Sequence, residues 1–138
     1  MPQRDIYHNA VKNALIKERW EITADPLILQ FGGRNIYVDL EAELPIAAEK
    51  DGRKIAVEIK SFTHPSEVND LERAVGQYVM YRELIARKEP ERVLYLAISL
   101  ETYEGILSEP LGKLMVETQR LKLLVFDEIQ EVILQWSN

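Results

Sequence analysis

Tyr37-Val38-Asp39-Leu40-Glu41-Ala42-Glu43, followed by Ile55-Ala56-Val57-Glu58-Ile59-Lys60, is the stretch on which the fold of this chain turns. Side chains alternate across a strand, so Ile55, Val57 and Ile59 take one face and Ala56, Glu58 and Lys60 the other. The upstream segment divides likewise, with Ile36, Val38, Leu40, Ala42 and Leu44 set against Tyr37, Asp39, Glu41 and Glu43. Between the two lies Glu49-Lys50-Asp51-Gly52-Arg53, whose Asp-Gly pair signals a hairpin. A two-residue Asp51-Gly52 turn pairs odd positions with even ones, so Asp39, Glu41, Glu43, Glu58 and Lys60 project from one face. In that register Glu58 lies opposite Pro45 and Lys60 opposite Glu43. Asp39 and Glu58 then meet only through a slip or bulge, and Pro45, which has no N–H for a ladder, is the expected place for one.

Working outward, Ile6, Ala10, Val11, Ala14 and Leu15 predict an amphipathic helix over residues 4–19. Trp20-Glu21-Ile22-Thr23 reads as a short strand stopped by Asp25-Pro26. Strands are predicted over 27–31 and 36–44 around the turn Gly32-Gly33-Arg34-Asn35, and over 46–48 and 54–62 around the second turn. Ser66 is the expected N-cap of a helix reaching Lys88, with Val68, Leu71, Val75, Tyr78, Arg82 and Ile85 on one stripe, ended by Pro90. Residues 92–99 are almost continuously apolar, which predicts a central strand. A helix over 110–119 and strands over 121–126 and 131–136 complete the chain. The fold class is therefore α/β (α+β), a mixed central sheet flanked by helices.

Composition narrows the function classes. A chain of 138 residues with 46% hydrophobic content can bury a core and reads as one domain, which excludes a disordered or fibrous protein. Zero cysteine excludes disulfides, thiolate zinc sites and a cysteine nucleophile. The opening Met1-Pro2-Gln3-Arg4-Asp5 lacks a signal-type apolar run and no stretch reads as a membrane span, so a cytoplasmic location is expected. With 17 Lys and Arg against 23 Asp and Glu, the net charge is −6 and the cations are scattered. Tight non-specific DNA binding by the isolated chain is not expected.

Four acids and one lysine on a strand face carry chemistry. Clustered carboxylates repel unless a cation or proton sits between them. Hard oxygens at this density suit Mg²⁺ or Mn²⁺, and a neighbouring lysine can orient a water or offset charge on a phosphate. The plainer reading is a solvated strand face. Against it stands the position of Glu58 and Lys60 inside an apolar strand, where charges are seldom tolerated without a role.

Asp39 with Glu58-Ile59-Lys60, 19 positions on, resembles the signature of the PD-(D/E)XK nuclease superfamily, and Gln77 in Gly76-Gln77-Tyr78 sits where that superfamily often has a helical glutamine. A second resemblance covers almost the whole chain. Residues 8–12, Trp20 to Pro26, Ile55 to Phe62, Ala74 to Tyr81, Arg92 to Ala97 and Glu131 to Trp136 are similar to the XisH family, the fdxN element excision controlling factors. That resemblance implies a restriction-endonuclease-like core and a role in excising a DNA element. It also implies an XisI-like companion protein and, indirectly, a site-specific recombinase, with DNA touched within a complex. Asp39 and Glu58 would be metal ligands, with Asp39, Glu58, Lys60 and Gln77 catalytic, and Glu41, Glu43 and His8 as additional contacts. Many relatives in the superfamily place a third acid on the first helix. Here that stretch carries His8, with Asp5 one turn earlier, which leaves the third contact open.

Three functions compete. The first is a metal-dependent endonuclease; the second is a non-catalytic regulatory or protein-interaction module that retains the nuclease fold; the third is a toxin-like nuclease silenced by its companion. His8 is read as a ligand or general base against the commoner packing role, and His64 as a loop residue. Tyr78, Tyr81 and Tyr95 read as packing, Trp20 and Trp136 as covers of core edges, and Gly32-Gly33 as a turn. The hairpin edges and the helix after Ser66 offer surfaces for a homo-oligomer.

Overall fold

The computed structural model describes residues 4–44 and 52–137. The strand expected over 46–48, the Pro45 interruption and Asp51 of the second turn lie outside the described residues. Helix α1 (His8–Lys17) is followed by β1 (Glu21–Ala24), β2 (Leu27–Phe31), β3 (Arg34–Val38), β4 (Leu40–Leu44) and β5 (Arg53–Ile59). Then come α2 (Glu67–Lys88), β6 (Val93–Ser99), α3 (Leu100–Glu104), a 3₁₀ turn (Ile106–Ser108), α4 (Pro110–Thr118), β7 (Leu123–Asp127) and β8 (Val132–Trp136). Six strands form one mixed sheet in the order β1-β4-β5-β6-β7-β8, while β2 and β3 form a separate two-stranded ribbon. β5, β6 and β7 run parallel to one another; β1, β4 and β8 are antiparallel to their neighbours. The expected mixed sheet flanked by helices is present, and β6 is central.

Local chemistry sets the ends of these elements. Ser66 Oγ accepts the Asn69 N–H at 3.2 Å, Glu67 and Asp70 lie in the first turn of α2 and Arg87 and Lys88 in its last, each charge favourable to the helix dipole. α1 is shorter than predicted. It ends where Arg19 takes φ +70°, with the Trp20 N–H bonded to Leu15 O and the Arg19 N–H to Ile16 O. The stripe of α2 is rotated from the expected one: Leu71, Ala74, Tyr78, Tyr81 and Ile85 are buried, while Val68 is exposed. α3 and the 3₁₀ turn were not expected. α4 approaches that turn so closely that a Cβ on Gly112 would collide with the Ile106 carbonyl.

The sheet buries both faces. On the α2 side Leu71 and Tyr78 of the helix cluster with Val38, Ala56, Leu94 and Leu96; on the α1 side lie Leu15, Trp20, Leu40, Val57, Ile59 and Phe126. Ile55, Val57, Ile59, Tyr95 and Ala97 are in the core as their spacing predicts, and Val93 packs at its margin.

Two strand expectations change. The Gly32-Gly33 pair alone makes the first turn, with both φ values positive and Phe31 opposite Arg34, so β3 starts earlier than expected. The strand predicted over 36–44 breaks at Asp39. Val38 packs under α2 whereas Leu40 packs on the α1 side, because the chain leaves the ribbon and enters the main sheet there.

The β4–β5 register also differs from the two-residue turn. Val57 faces Leu40, Glu41 faces Ala56 and Leu44 faces Arg53. The displacement is an even number of positions, so every β4 side chain keeps its predicted face, and continuing the ladder sets Asp39 opposite Glu58. The strands thus slip, as their meeting required, and the paired residues of β4 and β5 show no bulge; a register shift does occur between β1 and β4, at Ile22/Ala24.

Ile59 is 2% exposed. Ile59→Ala is expected to cost about 2–5 kcal/mol of folding stability, read by denaturant unfolding. A loss of under about half a kcal/mol would mean that the face assignment of β5 is wrong.

Candidate active site

Asp39, the one residue between β3 and β4, is held against the carboxyl end of β5 by a reciprocal clamp. Its Oδ2 accepts the Ile59 N–H at 2.7 Å, and its own N–H donates to Glu58 Oε1 at 3.3 Å. Lys60 follows β5, with its Nζ 3.7 Å from Glu58 Oε2. Asp39, Glu58 and Lys60 therefore converge, as expected from their parity.

The electrostatics are those of an under-compensated pair. Glu58 is only 6% exposed. Burial, and then the charge of Asp39, raise its pKa well above the ordinary value, against the opposing pull of Lys60. Burial also raises Asp39, although the Ile59 N–H works the other way. Without a cation the pair favours holding a proton.

Two residues join the site that sequence reasoning did not assign to it. Asp5 bridges from before α1, its Oδ1 accepting the Tyr7 N–H at 2.9 Å and its Oδ2 the Ser61 N–H at 3.0 Å. It lines the same roughly 270 Å³ cleft as Asp39, Glu58, Lys60 and His64. Tyr81, expected only to pack, is pushed up to about 12 by burial and by the charges of Glu58 and Asp39. Gln77 lies one turn before Tyr81 on α2 and is not among the residues lining that cleft; its buried Oε1 has no partner. The available signal was the four-residue spacing, which stacks Gln77 and Tyr81 on one helix face.

Other candidates sit elsewhere. Glu43 and Glu41 face the guanidinium of Arg92, at 3.1 and 3.5 Å from Nη2, and Glu41 Oε1 also accepts the Thr23 hydroxyl. His8 is buried with its Nε2 2.8 Å from Asp25 Oδ1, beside Lys12 and Arg4 on the same carboxylate. His64, by contrast, lines the cleft, and its Nδ1 lies 2.7 Å from Oδ1 of Asp70 in the first turn of α2.

Among the described residues no group of three or more His, Asp or Glu side chains has metal-binding geometry. The donor set that remains, two adjacent carboxylates in a cleft, still fits Mg²⁺ or Mn²⁺, which usually take one or two carboxylates and complete their shell with water. Among the described residues no helix is long and apolar enough to cross a membrane.

The family model for XisH protein matches residues 1–134. The chain belongs to the XisH family. The crystal structure of an XisH family protein from Nostoc punctiforme PCC 73102 superposes with a TM-score of 0.87 at 42% identity, covering 97% of this chain and 100% of that one. An fdxN element excision controlling factor protein from Anabaena variabilis gives the same TM-score and identity, over 98% of this chain and 100% of that one. No curated protein matches. The fold expected from the resemblance, a mixed sheet matching a restriction-endonuclease-like core, is the one observed.

The raised pKa of Glu58 makes a signed prediction. A carboxyl whose folded pKa lies above its unfolded value contributes stability below the unfolded value and loses it as pH rises through the folded one. In metal-free buffer the melting temperature of Glu58→Gln should gain on that of the wild-type chain as pH rises above the ordinary glutamate value of 4.5. Parallel melting curves across that range would contradict the buried, proton-holding pair.

Proposed function

We propose that this chain is an excision controlling factor for a programmed DNA element, acting as a metal-dependent endonuclease of the PD-(D/E)XK type in a DNA-processing complex. The observation that carries this reading is the Asp39–Glu58 clamp with the Lys60 ammonium beside it. Asp39 and Glu58 would hold Mg²⁺ or Mn²⁺, which when bound supplies Lewis-acid polarisation of a phosphate and lowers the pKa of a water. Lys60 would orient the attacking water and offset charge developing on the phosphoryl oxygens. Gln77, with its buried Oε1 open, is suited to accept a hydrogen bond from a water or a substrate group. Hydrolysis of a phosphodiester in this cleft would take place in the cytoplasm, with an XisI-like companion and, indirectly, a site-specific recombinase. A homo-oligomer belongs to the same proposal.

A second reading is favoured by a specific observation: the first helix, where the superfamily often has a third acid, carries His8, which is paired with Asp25. On this reading the chain is a regulatory, protein-interaction module that retains the nuclease fold, since fold does not dictate function.

Calorimetric titration with Mg²⁺ and with Mn²⁺ separates the two. The endonuclease reading expects saturable binding that Glu58→Gln weakens by at least about tenfold, equivalent to about 1.4 kcal/mol. No heat from either metal on the wild-type chain would favour the regulatory module.

The net charge of −6 supports a DNA contact made in company. In an anisotropy titration at about 150 mM salt, duplex binding should appear, or tighten at least about tenfold, only when the companion is added. Submicromolar duplex binding by the isolated chain would overturn this part of the proposal.

A further inference from the structure

A second pocket opens at the other end of the parallel strands, under the C-terminal half of α2 and beside the starts of β6 and β7. Its volume is about 400 Å³, within the range of small-molecule sites, and it shares no lining residue with the Asp39–Glu58 cleft. Tyr78, Ile85, Pro90, Val93 and Leu94 supply an apolar floor. Arg82, Arg120 and Lys122 supply cationic walls, and among the described residues no carboxylate comes within ion-pair distance of any of the three. Arg92 also lines the pocket, but Glu41, Glu43 and Glu89 already surround it. Glu83 is the acid on the lining.

The cations are placed rather than merely present. Arg82 donates to the Gln119 carbonyl, and its guanidinium lies 5.5 Å from the Tyr78 ring centroid. The Tyr78 hydroxyl donates to Leu94 O at 2.9 Å and accepts the Lys122 N–H at 3.1 Å, which ties the Lys122 backbone to the pocket floor. Arg120 is the sharpest case. It stands at φ +52°, just past the end of α4, with its N–H bonded to Glu117 O and the Leu121 N–H to Val116 O. Glycine is the usual residue in this helix-ending conformation, because a Cβ crowds the following carbonyl there. Arg120 thus stands at a position of positive φ beside two other uncompensated cations.

We infer that this pocket binds a phosphate monoester carried on an apolar or aromatic body, with Arg82, Arg120 and Lys122 gripping the phosphate. Guanidinium groups suit the phosphate oxygens by paired donation, and the apolar floor takes the body. A free nucleoside monophosphate and the 5′-phosphorylated end of a nucleic-acid strand share this chemistry. The site is independent of metal at Asp39 and Glu58.

The test is a calorimetric titration with dAMP, inorganic phosphate and deoxyadenosine in chelator-treated buffer, so that the carboxylate cleft holds no metal. Amide shifts of Ala86, Leu94 and Lys122 would locate the binding. dAMP should bind saturably, inorganic phosphate at least about tenfold more weakly, and deoxyadenosine not at all. Arg120→Gly removes the cation while relieving the backbone, so it should hold or raise the melting temperature and weaken dAMP binding at least about tenfold. Lys122→Ala should weaken it in the same direction. A 5′-phosphorylated oligonucleotide binding more tightly than dAMP, with its 5′-hydroxyl counterpart silent, would identify a strand end as the source; the reverse order would identify a free nucleotide. No saturable dAMP binding, equal affinity for inorganic phosphate, or unchanged affinity in both variants would overturn the inference.

Discussion

Burying Glu58 beneath α2 is the constraint that organises the centre of this protein. A carboxylate 6% exposed in an otherwise apolar strand is costly unless something meets its oxygens. Two things do: the Asp39 N–H and, at longer range, the Lys60 ammonium. The Asp39 contact needs backbone freed from the ladder, and β3 and β4 therefore part at Asp39. That break sends the ribbon of β2 and β3 up against α2 and β4 into the main sheet between β1 and β5. The Asp39 carboxylate then closes the clamp on the Ile59 N–H. One buried acid thus dictates a strand break, a change of sheet and the shape of the cleft.

Much of this was legible because β periodicity has no finer grain than two residues. The predicted turn placed Glu58 opposite Pro45, and the observed ladder, continued one step beyond Leu40 and Val57, places it opposite Asp39, yet the even displacement left every β4 side chain on its predicted face. Parity therefore found the pair even though the register was wrong. It failed at Val38 and Leu40, which share parity but lie on opposite sides of the sheet, since parity assumes an unbroken strand. Ser66, Gly32-Gly33 and Pro90 marked ends correctly because caps and turns are decided by neighbours in the chain. Asp5, Tyr81 and the cationic pocket were illegible for the opposite reason. Asp5 reaches Ser61, 56 positions away, and Arg82, Arg120 and Lys122 come together only through packing of α2 against the start of β7.

The way the charges are distributed separates structural acids from the candidate pair. Arg92 sits among Glu41, Glu43 and Glu89, and also donates to Ile55 O, tying α2, β4 and β5 at one end of the sheet. Asp25 sits among Arg4, His8 and Lys12; burial would raise its pKa, but the Lys12 and His8 contacts outweigh it and hold the carboxyl below its ordinary value. Each of these clusters surrounds one charge with opposite charges. That arrangement fixes a fold, and it explains why Glu41 and Glu43, though on the predicted face, belong to the Arg92 cluster.

Asp39 and Glu58 are arranged the other way: two like charges side by side, with a single cation at 3.7 Å from one of them. At an effective dielectric near 20, two unit charges about 4 Å apart interact by about 4 kcal/mol, so one ammonium roughly offsets the mutual repulsion and leaves the burial cost unmet. Folding alone would favour Gln at position 58, because a neutral amide accepts the Asp39 N–H equally well and carries no charge into the core. The chain instead carries a carboxylate whose ionised form burial and the neighbouring Asp39 disfavour, with Lys60 pulling the other way. A proton answers that need in isolation; on the proposed reading a divalent cation would answer it and leave Lys60 free to face a phosphate. The Arg92 and Asp25 clusters balance the charge at their centre, whereas the Asp39–Glu58 pair leaves like charges side by side.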